Sequence, residues 1–147
     1  MPTPAQVNLV LSCARGDLGT PFVHQGRVPG PRGGLDCVGE IVCTCQRVGY
    51  PIQDFRAYGR DSDSKEILRR LRLHFDELQP GQQQPGDVLV MWVVHRLFPQ
   101  HVAWFTGSTV IHAYSRNTGG RVLEEPFDRW ARHVYGVFRL REWSVAA

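Results

Sequence analysis

At 147 residues the chain has the size of one domain, and its 42% apolar and 21% charged content suits a packed core rather than a disordered segment. No apolar run reaches the roughly 20 residues of a bilayer-crossing helix. The net charge of +3 comes from 17 basic residues, Lys65 and sixteen arginines; the tightest basic cluster, Arg69, Arg70 and Arg72, is ringed by Asp61, Asp63, Glu66, Asp76 and Glu77, so neither a nucleic-acid nor a membrane partner is expected.

Thr3-Pro4-Ala5-Gln6 has the form of a helix start, with Thr3 as N-cap, Pro4 at the first helical position and Gln6 closing a capping box. The predicted helix runs from Pro4 to Asp17. Val7 to Cys13 is only loosely like the end of a lipoprotein signal, because no basic residue precedes it and prolines stand in front of it. A chain made in the cytoplasm without an export signal is therefore expected, with its four cysteines as free thiols. A Gly- and Pro-rich loop covers Val23 to Gly34. A second helix is predicted from Asp36 to Val48, and a third from Asp63 to Leu78, with Asp63 and Glu66 as capping box and Ile67, Leu68, Leu71, Phe75 and Leu78 as its apolar stripe.

After Gln79-Pro80-Gly81 the period changes. Strands are predicted at Asp87 to Val94, Val102 to Thr106, Thr109 to Tyr114, Arg121 to Glu125 and Val134 to Leu140, with a helical turn from Phe127 to His133. Helices followed by antiparallel strands describe one α+β domain over residues 1–147, its N-terminal helices packed on an antiparallel meander.

Three of the four cysteines lie in Gly33 to Cys45, and Cys37 falls in the first turn of the second helix. The helix dipole stabilises a thiolate there by about 0.3–2 kcal/mol, which lowers a pKa of about 8.5 by at most about 1.5. Full ionisation then needs a neighbouring imidazole. Taken alone, Asp-Cys-x-Gly fits a buried core thiol equally well. Cys43 and Cys45 follow six and eight residues later on the same helix, one on another face and the other about 12 Å along the axis, so they cannot share one tetrahedral metal site with Cys37. They read, like Cys13, as packing thiols.

His101 and His112 lie on neighbouring strands. A two-residue turn at Thr106-Gly107 sets them opposite each other, and a four-residue loop from Thr106 to Thr109 makes them diagonal neighbours on one face. Two imidazoles on a sheet face of Ala, Phe and Val are either half-exposed strand histidines or a base, His101, oriented by a second polar ring.

The stretches LGTPF (Leu18–Phe22), GGLDCVGEIV (Gly33–Val42), QPGDVLVM (Gln84–Met91) and HVAWFTGSTVIHA (His101–Ala113), in this order, resemble the NlpC family of papain-like cysteine peptidases, which cleave peptidoglycan stem peptides. The resemblance implies a papain-like fold with Cys37 as nucleophile, His101 as general base and His112 as the orienting third residue, and no metal or other cofactor. It implies contacts to the stem peptide from Asp36, which would hold its free amine, and from Phe22 and Val38, with a γ-D-glutamyl amide as the scissile bond. His24, in the loop before Cys37, either lines the cleft as a further substrate contact or is a surface histidine. Phe22 stands where the family usually carries an aromatic hydroxyl, which implies weaker oxyanion stabilisation. Gly19 to Arg27 is similar to short phage-encoded versions found at the tail tip, so a virion location and tail-tip protein partners are expected. The competing reading is a structural tail-tip or assembly protein with the same fold and little catalysis.

Overall fold

The computed structural model describes residues 1–59, 64–94, 96–97, 99–115 and 120–144. Helix α1 spans Pro4–Arg15 and opens as the sequence predicts. Thr3 Oγ1 accepts from the Gln6 N–H, and Gln6 Oε1 accepts from the Thr3 N–H. It buries Val10, Leu11 and Ala14 and ends at Arg15, two residues before the expected Asp17, with Gly16 as C-cap. The loop predicted from Val23 to Gly34 contains a short antiparallel pair, β1 (Arg27–Val28) and β2 (Gly34–Leu35). Helix α2 spans Cys37–Arg47 and is buried from Val38 to Cys45. At Gly39 a Cβ would lie 2.2 Å from the Gly26 carbonyl oxygen, so only glycine lets this loop rest on the first turn of α2.

Helix α3, Ser64–His74, stops four residues short of the predicted Leu78. Its apolar stripe continues, but Asp76–Leu78 form a strand, β3, paired with the last strand. The carbonyls freed at the helix end are not left bare: Arg141 donates to the Leu73 and Phe75 carbonyls and the Tyr50 hydroxyl donates to that of His74. The expected capping residue Asp63 lies outside the described residues. Glu66 instead pairs with Arg69 and Arg70, and Arg72 with Glu77.

The remaining strands are β4 (Val88–Trp92), β5 (Pro99–Phe105), β6 (Thr109–Tyr114), β7 (Arg121–Pro126) and β8 (Val134–Arg139), and the antiparallel sheet runs β3-β8-β4-β5-β6-β7. The predicted meander holds for β4 to β7. It fails for β8, which turns back to insert between β3 and β4. Val88 to Met91 are fully buried, and so apolar a strand needs a partner on both edges. Val88, Val90, Val102, Trp104 and Ile111 face the helices, while Leu89, Met91, Ala103, Phe105 and Val110 pack on the other face with Trp130 and Val137. Trp130 is carried there between two single 3-10 turns, Phe127–Arg129 and Ala131–His133, in the span predicted as a helical turn. Among the described residues no helix is long and apolar enough to cross a membrane.

Candidate active site

Cys37 is set by Asp36. The Asp36 backbone is extended, and its Oδ1 accepts from the Gly39 N–H at 2.7 Å, which starts α2 at Cys37. The same carboxylate accepts from Arg27 Nη1 at 3.0 Å, and its Oδ2 accepts from the Gln25 N–H at 2.8 Å and the Tyr58 hydroxyl at 2.7 Å. Four hydrogen bonds fill the four acceptor positions of a carboxylate, and Asp36 is buried. Asp36 is therefore a structural anchor of the helix start, and it also lines the cleft that holds Cys37. Burial first, then Asp36, pushes the Tyr58 hydroxyl up, which keeps it a donor to that carboxylate.

The thiol of Cys37 meets the start of β5. Its Sγ lies 4.0 Å from the Gln100 carbonyl oxygen, and the backbone N–H groups of Val102, Val38 and Cys37 itself point to it. Even so, burial and then the charge of Asp36 push the thiol up to about 12. This reverses the expectation drawn from the helix dipole. The cap that creates the helix start also sets a negative charge beside the sulfur, and desolvation adds to it. His101 is held well below its usual value, by burial and by His112. The resting pair is thus a neutral thiol and a neutral imidazole.

The β5–β6 connection is the four-residue loop, with Trp104 opposite Ile111 and Phe105 opposite Val110. That register makes His101 and His112 diagonal neighbours on one face. His101 Nε2 and His112 Nδ1 are 2.5 Å apart, and both rings are buried. His112 Nε2 in turn lies 3.0 Å from Glu125 Oε1 on β7. The Trp130 indole N–H donates to the same oxygen, and its ring stands edge-on to His112. Tyr114 stacks on His112 at 5.4 Å. The imidazole pair sits in an aromatic box closed by a carboxylate.

No protein-family model matches the sequence, and no curated protein sequence matches it. Solved structures do. An NLP/P60-family protein similar to lipoprotein from Staphylococcus aureus superimposes with a TM-score of 0.66 at 18% identity, over 99% of this chain and 43% of that one. The NlpC/p60 domain of the peptidoglycan hydrolase SagA gives 0.62 at 21% identity, over 91% and 98%. The P60 domain of an antigen from M. avium subspecies paratuberculosis gives 0.66 at 18%, over 95% and 97%. This is the NlpC/P60 fold. The chain spans less than half of the S. aureus protein and nearly the whole of each of the two isolated domains.

Within the NlpC/P60 fold, Cys37 and His101 open onto one cleft of about 300 Å³, which Phe22, His24, Val38, Tyr58, Gln100 and Tyr114 also line. The sequence-predicted residues therefore converge: Asp36 lines the same cleft, and His112 lies behind His101. The other thiols stand apart in role: Cys43 and Cys45 are buried, Cys13 is half-buried, and all four are free. Other residues of this site escaped the sequence reading. Arg27 and Tyr58, which hold Asp36, lie in stretches without regular period. Glu125 read as the end of a strand; its signal is its place on the strand facing His112, since His112 pairs with Leu123 and the carboxylate two residues on is its diagonal neighbour. Among the described residues no three His, Cys, Asp or Glu side chains gather as a metal ion requires.

Proposed function

We propose that the chain is a cysteine peptidase that hydrolyses peptidoglycan stem peptides, acting at the γ-D-glutamyl amide bond and carried at a phage tail tip. The observation that supports the chemistry best is the pairing of a helix-start thiol and a buried imidazole in one cleft, with a second imidazole fixed behind the first. The substrate class rests on the NlpC/P60 fold and on the four ordered sequence stretches, and the tail-tip location on Gly19 to Arg27 alone.

Because thiol and imidazole are both neutral at rest, attack and proton transfer occur together. The Cys37 Sγ–H proton passes to His101 as sulfur bonds to the amide carbon, and the carbonyl π electrons move to oxygen. The backbone N–H of Cys37 is placed to receive that oxyanion. Collapse expels the amine, which takes the proton from His101. Water, deprotonated by His101, then releases the acyl group and restores the thiol.

The test is incubation of purified protein, and of its Cys37→Ala variant, with sacculi. New amines released by the wild type and absent with the variant are expected. Absence of Cys37-dependent release would refute the peptidase reading and leave the structural tail protein, the reading that Phe22, which offers no hydroxyl to the cleft, favours.

A further inference from the structure

We infer that Glu125 is a positioning residue of this site: acting through His112, its carboxylate determines which nitrogen of His101 carries a proton and which is left as the base. The inference rests on the peptidase reading for its kinetic consequence, but the tautomer it assigns stands on the hydrogen bonds of Glu125 and the two rings.

The assignment starts at the carboxylate. The hydrogen bond from His112 comes first among the causes that hold Glu125 at about 2, with burial opposing and Trp130 assisting. Glu125 is thus an anion and accepts only. Its Oε1 receives the Trp130 N–H and faces His112 Nε2 at 3.0 Å, so that nitrogen carries a hydrogen. In its neutral form His112 has one N–H, which leaves its Nδ1 as a lone pair. This lone pair faces His101 Nε2 at 2.5 Å. The Nε2 of His101 must therefore donate, and its Nδ1 is left as the lone pair available to a proton from Cys37 in the shared cleft. A single carboxylate two rings away sets the base.

The same wiring gives an acid limit. A proton added to the relay leaves His101 with hydrogen on Nδ1, so it can no longer accept from the thiol. The groups around the pair are Cys37 from α2, Tyr114 from β6, Glu125 from β7, Arg129 from the following turn, and His133 behind Trp130. Arg129 approaches Glu125 Oε2 only at 3.5 Å and is largely exposed, so it screens the carboxylate weakly. His133 is turned away, its Nδ1 bonded to the Trp92 carbonyl. Glu125 is the anion that favours the protonated pair.

Two variants separate hydrogen bonding from charge. Glu125→Gln keeps an oxygen acceptor for His112 and Trp130 and removes the charge; Glu125→Ala removes both. Imidazole ¹⁵N spectra of histidine-labelled protein read the tautomers directly, with or without activity. In wild type at neutral pH both rings are expected as Nε2–H tautomers. Glu125→Gln should keep them, retain kcat within about fivefold, and move the acid limb of kcat/KM to lower pH. Glu125→Ala should give a His101 tautomer mixture and lower kcat by about 30-fold or more, with KM little changed. Wild-type His101 found as the Nδ1–H tautomer would overturn the inference. So would an acid limb unmoved in Glu125→Gln, a reading that does not depend on the alanine variant folding. If the wild type proves inactive on sacculi, the peptidase reading falls and the spectra still decide the tautomer.

Discussion

Replacing Asp36 by alanine should damage the fold and the site together, and the cost can be worked from its four bonds. Loss of the Gly39 cap removes about 1 kcal/mol from α2. Loss of a buried charge partner costs about 3–5 kcal/mol when the other ion is left unpaired. Arg27 is only partly orphaned, because it keeps Asp54 at 2.9 Å, the Phe55 carbonyl and the Tyr58 hydroxyl, so the lower end applies. The sum is about 4 kcal/mol, a large share of the roughly 5–15 kcal/mol that holds a domain together. With an m-value of about 2 kcal/mol per molar urea, the midpoint of unfolding followed by tryptophan fluorescence should fall by about 2 M. Asp36→Asn keeps the oxygen that caps Gly39 and should lose about half as much. A fall below about 0.5 M for alanine, or an asparagine variant as damaged as the alanine one, would refute the view of Asp36 as the inward anchor of this helix start.

Two further outcomes follow from groups near the same helix. Glu40 is fully buried and its carboxyl is pushed well above the usual range, by burial first and then by Asp17. A raised carboxyl stabilises the fold below the unfolded value of about 4.3 and loses that contribution as pH rises towards the folded value. Glu40→Gln should therefore remove a decline of up to about 1.4 kcal/mol per pH unit above that point, read as a flatter dependence of urea midpoint on pH; an unchanged slope would count against a protonated Glu40. Phe22 borders the cleft without a hydroxyl, so Phe22→Tyr should raise kcat on stem peptides by about tenfold or more. No gain would mean that the backbone donors already suffice.

What the sequence disclosed and what it withheld have physical causes. The caps at Thr3 and Asp36 are local, written in three or four consecutive residues, and both were legible. The facing of His101 and His112 was legible because alternation along a strand is strict, and the Thr106–Thr109 loop chose between two registers already in view. The end of α3 was not, because the helical period continues through Leu78 and only the arrival of β8, some sixty residues later, makes Asp76–Leu78 a strand. The place of β8 depended on the same long-range pairing. At the site, the place of Cys37 at a helix start was legible but the rise of its thiol was not, since the helix dipole can be estimated from sequence while burial and a neighbouring charge cannot. Glu125 and Trp130 belong to the site only through β6–β7 pairing and a chain reversal after Pro126.

The position of β8 has a consequence for how the molecule is made. Until this late segment emerges from the ribosome, β3 and β4 lack their shared neighbour, and Val88 to Met91 present an open apolar border. A chain halted before Val134 would hold every reactive group of the cleft and still lack the seam that joins the two parts of its sheet. Such a fragment is apt to stick to its own kind through that border, so completeness of synthesis becomes a condition for a closed sheet.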